Sequence, residues 1–167
     1  MSSNEIISLG AFAKQIKDPV NLVVANDATG TQRFFRTGDQ ANVYGVELEI
    51  KKDIFKTVNN SSLLSGGFNI SYMHTEQDLY STIQGTYSTA FNRDSDELQG
   101  ASPLLLNADL NYTPNFGENV KPTMNLVYSY FSDRIYALGS GQLGNKIEKG
   151  FSSLDFVWKN EFGEHFE

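Results

Sequence analysis

The residues whose types and spacing suit chemistry are few. Gly139-Ser140-Gly141-Gln142-Leu143-Gly144 has the G-x-G-x-x-G spacing that cradles a dinucleotide pyrophosphate. That use needs a helix directly after the glycines, because the helix N-terminus holds the phosphates. Here the chain runs through Asn145-Lys146 toward a strand beginning near Phe151, so an outer loop is expected instead. Asp94-Ser95-Asp96-Glu97 gathers the oxygen ligands calcium takes, but no glycine and no distal carboxylate complete a binding loop. His74 and His165 lack the i, i+4 spacing of a helical zinc site, and there is no cysteine. Glu47 and Glu49 lie two apart on one strand face, where a lysine such as Lys14 is expected to offset them in a polar lining. No Ser–His–Asp or Cys–His arrangement is present. The chain is therefore expected to be no enzyme and to hold no metal and no cofactor.

Recognition is the chemistry that remains. Aromatic and arginine side chains dominate binding surfaces, and two groups of them stand in polar connections. One is Arg33, Phe34, Phe35 and Arg36; the other is Tyr80, Tyr87, Phe91 and Arg93. These eight are the candidate substrate-contacting residues.

The elements that would position them follow a period of two, the mark of a strand with one apolar face. Ile7, Leu9, Ala11 and Ala13 alternate with more polar neighbours, and so do Tyr44, Val46, Leu48 and Ile50. The pattern recurs at Leu64, Phe68, Ile70 and Tyr72, and at Leu104, Leu106, Ala108, Leu110 and Tyr112. Met124, Leu126, Tyr128 and Tyr130 continue it, and Leu154, Phe156 and Trp158 close it. Phe12, Leu105, Val127 and Phe131 break the rule. Short links are expected at 54–61, at Thr113–Gly117 and at Asn160–Gly163, and longer ones at Asn26–Gln32, 79–98 and Leu138–Lys146. Six antiparallel up-and-down strands result, with the short links at one end and the long ones at the other.

Composition narrows the class. The 167 residues include 12 Phe, 8 Tyr and 14 Gly, a strand-and-turn mixture. A net charge of −7 without a basic stripe argues against nucleic acid as a partner. No run reaches the roughly 18 apolar residues of a membrane-spanning helix. The first residues lack the basic start and apolar core of a signal peptide. Strand-built membrane proteins escape such tests, since each strand is only half apolar. Alternation alone leaves two architectures open. In a soluble antiparallel β-sandwich binding module the dry face turns inward. In an outer-membrane barrel it turns to lipid, with short periplasmic turns, long outer loops and aromatic residues at both rims. Tyr112 and Trp158 fall at one rim, and Tyr44, Tyr72 and Tyr130 at the other.

Four stretches favour the barrel. Asn42-Val43-Tyr44-Gly45-Val46-Glu47-Leu48-Glu49 resembles the A-x-x-Y-G-x-E-x-E strand of TonB-dependent outer-membrane receptors. Ile7-Ser8-Leu9-Gly10-Ala11-Phe12 with Ile16-Lys17-Asp18-Pro19 resembles the strand before it. Leu98-Gln99-Gly100-Ala101-Ser102-Pro103-Leu104-Leu105-Leu106-Asn107-Ala108 is similar to the family's LQGQSPYLVNAGL stretch. Asp133-Arg134-Ile135-Tyr136 and Phe151-Ser152-Ser153-Leu154-Asp155-Phe156 resemble the two strands that follow. The order of these pieces matches the family across nearly the whole chain.

The resemblance implies a barrel of about 22 strands closed by a separate plug domain, of which residues 1–167 supply roughly a quarter of the wall. It implies active uptake of a scarce nutrient (an iron chelate, a cofactor or a glycan) in the cell outer membrane. The implied partners are outer-membrane lipid, the remaining barrel and plug of the parent protein, and TonB acting through an N-terminal region. On this expectation residues 1–167 are a partial barrel domain without the plug and without the terminal strands.

Overall fold

A computed structural model describes residues 5–25, 30–57, 62–80, 82–84, 87–114 and 120–162. In chain order its strands are β1 (Ile6–Lys17), β2 (Val20–Val24), β3 (Gln32–Arg36), β4 (Gln40–Lys56) and β5 (Ser62–Asp78). These are followed by β6 (Thr82–Gln84), β7 (Tyr87–Thr89), β8 (Ser95–Asp96) and β9 (Leu104–Tyr112). The last four are β10 (Val120–Phe131), β11 (Arg134–Gly139), β12 (Lys146–Glu148) and β13 (Phe151–Phe162). No helix occurs among the described residues.

The main sheet runs β1-β4-β5-β9-β10-β13, with β8 attached to β5. Every neighbouring pair on that path is antiparallel, and the six path strands carry the six alternating segments. Because directly opposed residues share a face, the register decides which side chains stand together. Ile7, Ile50, Phe68, Ala108, Tyr128 and Leu154 form one row across all six strands. Ser8, Glu49, Asn69, Asn107, Ser129 and Ser153 form the next row, on the opposite face. One face is apolar and the other polar.

Nothing among the described residues covers the apolar face. Ile7 is 81% exposed and Leu9 79%, and Leu154, Phe156 and Trp158 are also exposed. A sandwich would bury these residues against a second sheet, and no second sheet lies there among the described residues. The sheet is not closed either: β1 and β13 each keep one edge without a partner strand among the described residues.

The residues that break the alternation have reasons. Phe12 stands opposite Gly45, and a Cβ built on Gly45 would collide with the Phe12 ring. The aromatic ring thus covers a glycine that has no side chain of its own, a known device for stabilising strand glycines. Leu105, Phe131 and Phe151 share one row, and the last two rings lie 6.3 Å apart, so part of the polar face carries an apolar corner. Val127 lies between Asp109 and Asp155, with nothing in the structure to explain it.

Two expectations need correction. The strands outrun the alternating segments: β4 and β5 have 17 residues each, about 55 Å at ~3.3 Å per residue. The alternating segments cover only part of that length, which leaves the strand ends free to build something else. The long connections are also not plain loops. They carry a four-stranded sheet, β12-β11-β2-β3, and a two-stranded one, β6-β7. Within the former, β11 pairs β2 in parallel, joining two different connections. No local pattern announces such a pairing.

The core sits here rather than against the main sheet. Val23, Phe35, Leu79, Ile135 and Leu138 form the buried cluster, with Phe91 packed on it. All three long connections contribute. They therefore make one packed cap at the end of the sheet opposite the short links 57–61 and 113–119.

Candidate recognition surface on the cap

Polar side chains bind the three connections to one another. Asn21, Thr37 and Gln77 are all buried. The Asn21 amide donates to Thr37 Oγ1 at 2.5 Å and to Gln77 Oε1 at 2.7 Å. Gln77 Nε2 donates in turn to the Glu97 carbonyl at 2.8 Å. Gln99 links the connection before β9 to β2 and β11: its Oε1 accepts from Leu22 N and its Nε2 donates to the Tyr136 carbonyl, both at 2.6 Å. Gly100 has φ 77° and is the third residue of a turn closed by Ala101 N to the Leu98 carbonyl, a place that favours glycine. The Leu98-Gln99-Gly100 stretch thus has a mechanical role in fastening the cap.

The eight candidate residues separate on this frame. Arg33, Phe34, Phe35 and Arg36 lie in or beside β3, which is a strand and not a loop, so alternation divides them. Asn21 and Val23 of β2 stand opposite Phe35 and Arg33, and Leu22 and Val20 stand opposite Phe34 and Arg36. Phe35, 2% exposed, belongs to the core and has no surface to offer a ligand. Arg33 is half-buried on the same face. Phe34 is 65% exposed on the outer face, with Arg36 beside it. Arg36 is held at 2.6 Å by Asp18 and at 2.7 Å by Asp39.

In the second group Tyr80 is 48% exposed. Its backbone N–H donates to the Thr37 carbonyl at 2.6 Å, which brings it next to β3. Asp78, then burial, then Asp39 hold its phenol above the ordinary range, because negative charge nearby opposes a phenolate. Tyr87 is in β7, and its side chain lies outside the described residues. Phe91 packs on the core. Arg93 is tied down: Nε to Asp96 Oδ2 at 2.6 Å and Nη2 to Asn145 Oδ1 at 2.6 Å. The Asn145 amide closes the ring by donating to the same Asp96 oxygen at 2.9 Å. The structure therefore leaves Phe34, Arg36 and Tyr80 exposed, with the Tyr80 backbone tied to Thr37 just after β3, and uses Phe35, Phe91 and Arg93 to hold the cap.

The motifs expected to be inert have structural jobs. Gly139–Gly144 ends β11 and turns back toward β12. Gly141, at φ 63°, sits second in a turn closed by Leu143 N to the Ser140 carbonyl. No helix follows. Asp96 of the acidic run is bound by Arg93, and no cluster able to hold a metal ion occurs among the described residues. His74 stands opposite Tyr44 at the upper part of the apolar face; His165 lies outside the described residues. Lys14 faces Val43, not Glu47 or Glu49. Lys51, two residues along the same strand face, pairs with Glu49 at 2.8 Å instead, while Glu47 accepts from Ser71 Oγ at 3.4 Å.

A last set of contacts closes the β10–β13 connection. Asp133 accepts from Lys149 Nζ and from Gly150 N, both at 2.7 Å. Arg134 Nε meets Glu148 Oε2 at 2.7 Å, with its guanidinium 5.0 Å from the Phe131 ring centroid. The Lys149 hydrogen bond, then that from Gly150, holds the Asp133 carboxyl below its usual range. The Arg134 hydrogen bond does the same for Glu148. Sequence reasoning missed Asn21, Gln77, Gln99 and Asn145. Isolated amides carry no pattern that points to a partner far along the chain.

No protein-family model matches the chain, and no curated protein or solved structure matches it.

Proposed function

We infer that this chain is part of the wall of an outer-membrane β-barrel that takes up a scarce nutrient with energy delivered through TonB. The observation that carries the reading is the main sheet itself. Six antiparallel strands run up and down with an uncovered apolar face, a polar opposite face and every long connection at one end. A sheet built this way suits a wall with lipid on one side and a polar lumen on the other. The two open edges suit further strands on either side. The resemblance of the Tyr44–Glu49 and Leu98–Ala108 stretches to TonB-dependent receptors supports the transport role.

On this reading the short links face the periplasm, and the cap stands outside the cell, above the lumen. Phe34, Tyr80 and Arg36 with its flanking carboxylates offer aromatic faces, a guanidinium and acceptors. That chemistry suits a polyhydroxylated or chelate ligand better than an apolar one. The chain carries recognition and wall, not catalysis. The parent barrel, its plug and TonB are the proposed partners.

Fractionation of source cells, blotted with an antibody against this chain, tests the proposal. A band several times heavier than 18.6 kDa in the outer-membrane fraction is the expected result. A band near that mass in the soluble fraction overturns the proposal.

A further inference from the structure

The apolar face is not smooth. A hollow of about 360 Å³ opens in it, lined by Ile50, Ile54, Phe68, Leu110, Leu126 and Tyr128 among others. Its origin is the placement of two small residues between large ones. Gly66 lies between Lys52 and Leu110 in its row, and Ala108 between Phe68 and Tyr128. A Cβ on Gly66 would lie 3.3 Å from both Ile54 Cδ1 and Leu110 Cδ2, so these side chains lean over bare backbone.

Two charged residues line the hollow, Lys52 and Asp109. Asp109 belongs by parity to the polar face, where its carboxylate lies against Gly67. Lys52 belongs to the apolar face. No ion pair to it occurs among the described residues: Lys51 pairs with Glu49, and Lys56 takes both Asp53 and Glu5. A charge on a lipid-facing strand position is costly at the bilayer centre and tolerated near the interface, where a long side chain reaches the headgroups. Lys52 meets that condition, since β4 ends four residues later at the short-link end.

We propose that this hollow binds an anionic glycerophospholipid of the periplasmic leaflet, its phosphate on the Lys52 ammonium and an acyl chain along Ile50, Phe68 and Tyr128, which line the hollow one row further from the short-link end. Charge complementarity selects the occupant. An apolar cleft with one cation, unpaired among the described residues, at its interfacial end matches a molecule with one anionic head and a hydrocarbon tail. The inference rests on the proposed membrane orientation of the sheet.

The chain's single tryptophan provides the test. Trp158 is on the apolar face, one row beyond Phe156, which stands opposite Leu126 of the hollow. The full chain is reconstituted in vesicles of phosphatidylcholine and phosphatidylglycerol, with bromine on the acyl chains of one lipid or the other. Brominated phosphatidylglycerol is expected to quench Trp158 with a relative affinity about fivefold above phosphatidylcholine, the worth of one lysine beside an anionic headgroup. Lys52→Gln should bring the ratio close to one while quenching by phosphatidylcholine persists, showing that the variant is still inserted. Lys52→Arg should keep the preference, and Lys51→Gln on the polar face should leave it unchanged. Equal quenching by both lipids in the unaltered chain overturns the lipid site alone, as does a preference that Lys52→Gln leaves intact. No quenching by either lipid overturns the membrane orientation together with the site.

Discussion

Asp133 and Glu148 show how single carboxylates hold the cap to the sheet. Each is kept below its usual range by a cationic partner, Lys149 for Asp133 and Arg134 for Glu148. A depressed folded-state pKa means that the stabilisation is complete above the unfolded value, about 3.9–4.3, and is lost as pH falls through the folded value. An NMR titration of the Asp133 carboxyl should therefore give a midpoint below that of a free aspartate, and Lys149→Gln should move it upward. A midpoint unmoved by Lys149→Gln rules out the ion pair as the cause. Gly45 is the other residue whose type is dictated by a neighbour. Gly45→Ala places a methyl against the Phe12 ring and 2.9 Å from the Tyr72 carbonyl, an overpacking expected to cost about 1–3 kcal/mol. Combining it with Phe12→Ala should cost less than the sum of the two single changes, because removing the ring also removes the clash that Gly45→Ala creates.

At the scale of elements, β2, β3 and β11 matter most, because short strands from separate connections have become one packed body. Its stability depends on side chains meeting across long separations in sequence. Asn21→Leu removes the donor to Thr37 and Gln77 and leaves two buried acceptors unsatisfied, at about 1–3 kcal/mol each. Phe35→Ala removes the largest side chain of the cap core, at about 3–5 kcal/mol. Both variants should speed proteolysis and amide exchange in the cap while the Leu64–Tyr72 and Leu104–Tyr112 ladder keeps its protection. Equal loosening of cap and ladder would mean that the two unfold as one unit.

For the whole molecule, the decisive quantity is the contrast between the two faces of the main sheet. Phe68 and Asn69 are neighbours in sequence and point to opposite faces. In the barrel proposed for this sheet, Phe68→Arg should cost about 2–4 kcal/mol of folding into a bilayer if it lies near the midplane, and Asn69→Arg far less. Similar penalties at both positions would sink the assignment of faces. Outside a membrane, the uncovered face and the two open edges are liabilities for aggregation and strand addition. The isolated chain should need detergent or pair with copies of itself. A monodisperse monomer unfolding cooperatively in plain buffer, seen by sedimentation and circular dichroism, would argue against the membrane reading.

How much of this was legible beforehand follows from the range of the interactions. The alternation of Tyr44, Val46, Leu48 and Ile50 against Gly45, Glu47, Glu49 and Lys51 is local, so the strands, their order and their faces could be read directly. The division of Arg33–Arg36 between two faces is equally local, yet the run Arg33-Phe34-Phe35-Arg36 shows no apolar–polar alternation that would mark it as a strand. What no local pattern contains is which distant segments meet. The parallel pairing of Leu138 with Val23, the bond from Asn21 to Gln77 and the ring of Arg93, Asp96 and Asn145 all depend on three connections arriving at the same end of the sheet. The sequence by itself thus determined a two-faced, six-stranded sheet, because period-two burial is written residue by residue. Only the tertiary structure decided that the long connections form a packed cap, withdrawing Phe35 and Arg93 from the surface and leaving Phe34, Arg36 and Tyr80 upon it.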